Sequence, residues 1–191
     1  MLPEGTVLQL DRVRLRPIGR EDAAALFAMY ADPQTARYLP RPPLTDIAQA
    51  EEMVAKALAG YEDGSSLQLA IERNSDRAFL GVCLLFRFDR QSARAEIGYS
   101  LAREHWSRGY MAEALPALVD HGFGALGLNR LEADIDPRNA ASARVLRRLG
   151  FQREGLLRER WIVAGEASDS EIFGLLRRDW LGRPRDGIVT G

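Results

Sequence analysis

An α/β or α+β sheet with helices packed on its faces is the fold class this sequence predicts. Three observations lead there. The chain has 191 residues, 46% of them hydrophobic, enough for one domain with a sizeable core. Apolar residues recur at helical spacing in some stretches and alternate with polar ones in others. The resulting order is strand, two helices, three meandering strands, helix, strand, helix and two strands. A doubly wound dinucleotide fold would alternate regularly instead.

Val7 to Arg16 alternates through Val7, Leu8, Leu10, Val13 and Leu15 and reads as the first strand. Glu21-Asp22 opens a helix through Leu26, Phe27 and Tyr30 that ends before Asp32-Pro33. Pro40, Pro42 and Pro43 mark a loop. Thr45 or Asp46 then caps a helix carrying Ile47, Ala50, Val54 and Leu58, with Gly60 just after it. Leu67 to Ile71 and Phe79 to Phe88 read as strands joined by Asn74-Ser75-Asp76, and Ala93 to Leu101 as the third of that run. Met111 to Phe123 has a helical apolar face, with Pro116 inside it expected to remove one backbone hydrogen bond and bend it. Leu131 to Ile135 is a short strand and Ala140 to Leu149 a short helix. Trp161 to Ala164 and Glu171 to Leu176 pair around a turn at Gly165 to Ser168. No repeat or long linker appears, so residues 1–191 are expected to form a single domain.

Composition excludes several classes. The 26 basic and 27 acidic residues leave a net charge of −1, so nothing draws the whole chain toward nucleic acid or an anionic membrane. Lys56 is the sole lysine, and the even spread of the arginines reads as genomic base composition. Cys83 is alone, which forbids an internal disulfide and fits a reducing compartment. The longest apolar run, Phe79 to Phe86, is too short to span a bilayer. The N-terminus, with Pro3, Glu4 and Asp11, lacks the basic and apolar regions of a signal peptide, so a cytoplasmic protein is expected. His105 and His121 are too far apart to propose a metal site, and Cys83 reads as core.

Two segments carry chemistry. Glu96 to Leu101 is a strand, Ala102 to Arg108 a short loop, and Gly109 stands where a helix begins. The first amides of a helix have no intrahelical partner and its dipole favours anions there. Gly109 permits close backbone approach, and Arg103 and Arg108 add positive charge, a pattern suited to pyrophosphate, although the glycine by itself reads more simply as a plain tight turn. In the second segment, Asp136 to Phe151, Asn139 is a good N-cap and Gly150 a good left-handed stop. Ser142 falls in the first turn of that helix, where its hydroxyl can face a ligand beside the sheet.

In this order the two segments resemble the GNAT N-acetyltransferase superfamily, in particular its ribosomal-protein acetyltransferase branch of RimJ/RimL type. The resemblance covers roughly Leu8 to Trp180, with Ser170 to Leu176 similar to the family's last strand. The family's acetyl-CoA loop usually begins with Gln or Arg, has a central Gly and ends with Gly or Ala. Here those places hold Trp106, Gly109 and Met111, and Ser107 stands where this branch commonly has another glycine. Backbone amides, which any residue but proline supplies, can still make the contacts.

The resemblance implies a GNAT fold, a mixed and mostly antiparallel sheet of about six to seven strands flanked by about four helices. It implies an enzyme that moves an acetyl group from acetyl-CoA to a primary amine by direct attack on the thioester. The backbone of Tyr99, Ser100 and Leu101 would pair with the pantetheine arm. The amides of Ser107, Arg108, Gly109, Tyr110, Met111 and Ala112 would hold the pyrophosphate. Asn139 would bond the pantetheine or nearby backbone, and Ser142 would lie near the CoA sulfur as the acid. Glu96 is the candidate base, with a surface pair to Arg94 as its other reading. Glu159 is the reserve, its other reading an ion pair with Arg158 or Arg160. Tyr99 and Tyr110 read as packing side chains. By the same analogy residues from about Asp22 to Gly60 help form the acceptor cleft. A protein N-terminal α-amine is the first choice of acceptor, a small amine such as a drug or polyamine the second, and a non-catalytic acyl-CoA-binding module the third. A wide, open cleft would favour the first and a closed pocket the second. The expected partners are acetyl-CoA and the amine, with neither nucleic acid nor membrane, and a homodimer is left open.

Overall fold

The computed structural model describes residues 6–183, so Pro3 and Glu4 of the leader argument lie outside it. Its elements are β1 (Leu8–Gln9), β2 (Val13–Pro17), α1 (Ala23–Ala31), α2 (Pro33–Ala36), α3 (Ile47–Asp63), β3 (Ser66–Arg73), β4 (Phe79–Asp89) and β5 (Arg94–Leu101). After them come α4 (Tyr110–Phe123), β6 (Arg130–Ile135), α5 (Ala140–Arg148), β7 (Gln152–Val163), β8 (Glu166–Leu176) and α6 (Arg177–Leu181). The eight strands form one sheet in the order β1-β2-β3-β4-β5-β6-β8-β7. Every pair is antiparallel except β5 with β6.

Alternation along the strands splits the core into two layers. On one face Leu67, Leu69, Cys83, Leu85, Ala95 and Ile97 pack with Leu115, Leu118 and Phe123 of α4 and Leu146 of α5. On the other, Val82 meets Leu26 and Met29 of α1 and Ala50 and Val54 of α3. Cys83 is buried in the first layer, and burial pushes its thiol up to about 12, so it stays protonated and inert.

Several expectations are corrected. The first strand is a hairpin, closed by Leu10 N–H to the Val13 carbonyl at 3.0 Å, with the Asn74 side-chain amide donating to the Leu10 and Asp11 carbonyls. α3 runs past Gly60 to its left-handed cap at Gly64 (φ 73°). Gly60 serves close packing instead, because a Cβ there would stand 2.1 Å from the Ser66 hydroxyl. Asp46 is the residue that caps this helix, accepting from Ala48 N–H at 2.9 Å. α4 runs to Phe123 with Pro116 inside it, as expected, and its Leu115, Leu118 and Val119 are fully buried. The β7–β8 hairpin turns at Ala164-Gly165 and is much longer than its apolar ends indicate, since most of β7 is exposed and carries no alternation. On α3, Lys56 stands out in solvent, 74% exposed, with Glu52 as its ion-pair partner.

One buried charge cluster ties β2, β3 and α1 together. Glu72, 4% exposed, accepts from Arg14 at 2.8 Å and Arg16 at 2.7 Å, and Arg16 also grips Asp22 at 2.7 Å. Burial pushes the Glu72 carboxyl up, but the bonds from Arg16 and Arg14 outweigh it and hold the group below the ordinary glutamate range. A depressed carboxylate stabilises the fold above its unfolded pKa, and that contribution is lost as pH falls through the folded value. Glu72→Ala takes the carboxylate from Arg14 and leaves Arg16 with Asp22 alone, and a loss of about 3 kcal/mol is expected at neutral pH. Denaturant unfolding at pH 7 and at pH 4 checks it, with the gap between the proteins narrowing at the lower pH.

Candidate active site

The site forms where β5 and β6 part. β6 follows β5 only through Arg94, Ala95 and Glu96. Beyond them β5 keeps β4 as its neighbour and its other edge is open. The ladder fixes which groups line that edge. Ala102 N–H donates to the Leu80 carbonyl at 2.9 Å, in register with Gly81 opposite Leu101. Alternate residues of an antiparallel pair bond across it, so Ser100 and Gly98 turn their backbone to β4. Ile97, Tyr99 and Leu101 turn theirs to the open edge. Ser100 is thus placed away from the ligand edge that the resemblance assigned to it. The Leu101 carbonyl is already taken, accepting the Trp106 indole N–H at 2.8 Å. Trp106, at the place of the family's Gln or Arg, folds the loop back onto the strand end.

Side chains alternate the other way. Ala95, Ile97, Tyr99 and Leu101 face the α4–α5 layer, and Glu96 faces the α1–α3 layer. A cavity of about 610 Å³ spans the parting and is lined from both layers, by Glu96 and the 36–43 loop on one side and by Tyr99, Asn139 and Ser142 on the other. Exposed Arg37, Pro40 and Glu166 stand on its rim.

Arg87, not Arg94, is the partner of Glu96, with Nη1 3.1 Å and 3.0 Å from the two carboxylate oxygens. The cause is a register shift after Phe86 that puts Arg87 in the left-handed region (φ 52°) and swings it over Glu96. Arg94 is engaged by Glu132 at 2.9 Å across the parallel pair. Glu159 is exposed on a bulge of β7 (φ 50°), and its own N–H donates to Asp169 at 2.8 Å. Arg160 bonds Asp134 instead of Glu159, and Glu159 does not line the cavity.

Asn139 caps α5, its Oδ1 accepting from Ser142 N–H at 3.0 Å. Gly150 closes that helix in the left-handed conformation (φ 87°). The cap sets Ser142 in the first turn, 9% exposed, with its Oγ 2.7 Å from the Tyr99 hydroxyl. Burial pushes the Tyr99 phenol up to about 12 despite that bond, so it keeps its proton through neutral pH. Tyr99 is therefore more than packing, a fact the sequence hides because it depends on how α5 docks. α4 begins at Gly109 (φ 81°) with no side-chain cap on its first amides. Ser107 is also left-handed (φ 59°), which is the conformation a glycine would serve at about 1 kcal/mol less strain. Ser107 and Gly109 thus place two left-handed residues in the turn that leads into α4.

The family model for the acetyltransferase (GNAT) domain matches residues 12–152. The chain belongs to the GNAT acetyltransferase family. It is 37% identical to the uncharacterized N-acetyltransferase p20 of Bacillus licheniformis, over 92% of this chain and 98% of that one. It is 33% identical to the uncharacterized N-acetyltransferase YoaA of Bacillus subtilis, over 90% and 97% respectively. The structure of RimJ from Mycobacterium smegmatis in complex with CoA-disulfide superposes with a TM-score of 0.82 at 27% identity, covering 92% of this chain and 90% of that one. The GNAT fold is thus present, with an eight-stranded mixed sheet slightly larger than expected, and the chain is an N-acetyltransferase. No helix among the described residues is long and apolar enough to cross a membrane.

Proposed function

We propose that this GNAT enzyme acetylates a protein N-terminal α-amine with acetyl-CoA, by direct attack of the amine on the thioester carbonyl. The observation that carries this reading is the cleft through the sheet, which brings Glu96 from one layer and Ser142 from the other to a common cavity. The pantetheine arm lies along the open edge of β5, taking the backbone of Tyr99 and part of Leu101. The amides from Ser107 to Ala112, which run into the uncapped first turn of α4, hold the pyrophosphate. Glu96, directly or through a water, takes a proton from the ammonium so that a lone pair is free to attack. The nitrogen bonds to the carbonyl carbon, and open-edge amides of β5 stabilise the oxyanion. The C–S bond then breaks as Ser142 passes its proton to the CoA thiolate, and the proton still held by the adduct nitrogen leaves as the amide forms and returns, through water, to the Ser142 oxygen.

The exposed rim at Arg37, Pro40 and Glu166 suits a polypeptide end better than a small molecule that must be enclosed. The RimJ likeness supports the same choice. Calorimetric titration with acetyl-CoA, CoA and NADH comes first, and micromolar binding of the CoA forms without response to NADH is expected. Transfer is then measured on short N-terminal peptides and on polyamines. Faster turnover on peptides sustains the proposal, and faster turnover on polyamines replaces it with a small-amine enzyme. Binding without transfer to any amine leaves an acyl-CoA-binding module.

A further inference from the structure

The loop that curls before α4 is anchored from a segment about a hundred residues earlier in the chain. Glu113 lies in the first turn of α4, where an acidic side chain ordinarily answers the helix's own amides. Here it turns outward. Its Oε1 accepts the backbone N–H of Arg12 at 2.7 Å and of Val13 at 3.3 Å, and its Oε2 accepts Arg12 Nε at 2.9 Å. The same guanidinium reaches on, with Nη1 donating to the Arg108 carbonyl at 3.1 Å. Nη2 lies against Gly109, 3.2 Å from where a Cβ would stand. The Tyr110 ring, 5.1 Å away, supports the cation from beside.

The bond to Arg108 has a directional consequence. No peptide of the described chain is cis, and a trans peptide points its C=O and its N–H in opposite directions. Drawing the Arg108 carbonyl toward Arg12 therefore aims the Gly109 N–H away from Arg12. Arg12 is about half exposed, so the pair adds little to stability, and what it supplies is geometry.

We propose that Arg12 and Glu113 are positioning residues that hold the Ser107–Ala112 loop in its anion-binding form and so set the enzyme's grip on the nucleotide end of acetyl-CoA. This rests on the reading of that loop as the pyrophosphate cradle. The test compares full-length Arg12→Gln, Glu113→Gln and the double variant on two donors. Acetyl-CoA carries the pyrophosphate, whereas S-acetylpantetheine keeps the thioester and the arm without it. The wild-type preference for acetyl-CoA, taken as the ratio of the two kcat/KM values, is expected to fall about tenfold in each single variant. The double variant should fall no further, because either change releases the same clamp. An equal loss on both donors, or single effects that multiply in the double variant, overturns the clamp. A wild-type enzyme without preference between the donors overturns the cradle itself, a result distinct from a preference that survives the substitutions.

Discussion

Ser142→Ala is expected to lower kcat about a hundredfold while acetyl-CoA binds nearly as before. The hydroxyl sits 2.7 Å from the Tyr99 phenol and is buried, so its orientation is fixed before any substrate arrives. If the phenol donates to the Ser142 oxygen, the serine proton is left to point into the cleft, where the thiolate departs. An acid acts as the leaving group takes charge, so its loss falls on turnover and spares the affinity that calorimetry reads. Truncation is structurally mild, because the Asn139 cap uses the Ser142 backbone N–H and survives. A thioester with a more acidic thiol should recover much of the lost rate, since that thiolate leaves without help. Equal losses in kcat and in affinity would move Ser142 from chemistry to binding.

The second large effect belongs to Glu96. Glu96→Gln keeps the side chain's size and part of its contact with Arg87 but cannot accept the acceptor's proton, and a kcat loss on the order of a hundredfold or more follows. Glu159→Gln is the comparison. That carboxylate is exposed, lies outside the cavity, and should leave turnover close to the parent's. A pH–rate profile for Glu96→Gln with the parent's shape would remove Glu96 as the base. Arg87 Nη1 reaches both Glu96 oxygens and favours the ionised form, while a carboxylate keeps further lone pairs free to take a proton.

Elements whose apolar residues face a core were legible in the sequence. The strands at Leu67 and Phe79, the helix at Met111 and the Asn139 cap fall where periodicity and capping chemistry place them. β7 was largely invisible because an exposed edge strand has no buried face to write an alternation. The hairpin at Asp11 shows in the sequence only as a shift of phase, from Leu8 and Leu10 to Val13 and Leu15, which a single alternating strand overlooks. Gly60 misled because a glycine needed for close packing looks like one needed for a helix stop. At the site, Glu96, Gly109 and Ser142 could be singled out from local chemistry and resemblance. Their partners Arg87, Tyr99 and Arg12 could not, since each meeting depends on a bulge, a docking angle or a contact across the chain.

The solitary Lys56 on α3 makes this enzyme an unusually quiet background for any assay that reads acetyl-lysine. Arginine stays protonated throughout the working pH range and is not an acceptor, so one ε-amine, exposed beside Glu52, is all that the protein offers to self-acetylation from a lysine side chain. Any acetyl-lysine found away from that single tryptic site is therefore the mark of a substrate, and an amine-reactive dye aimed at lysine reports from one known place on α3.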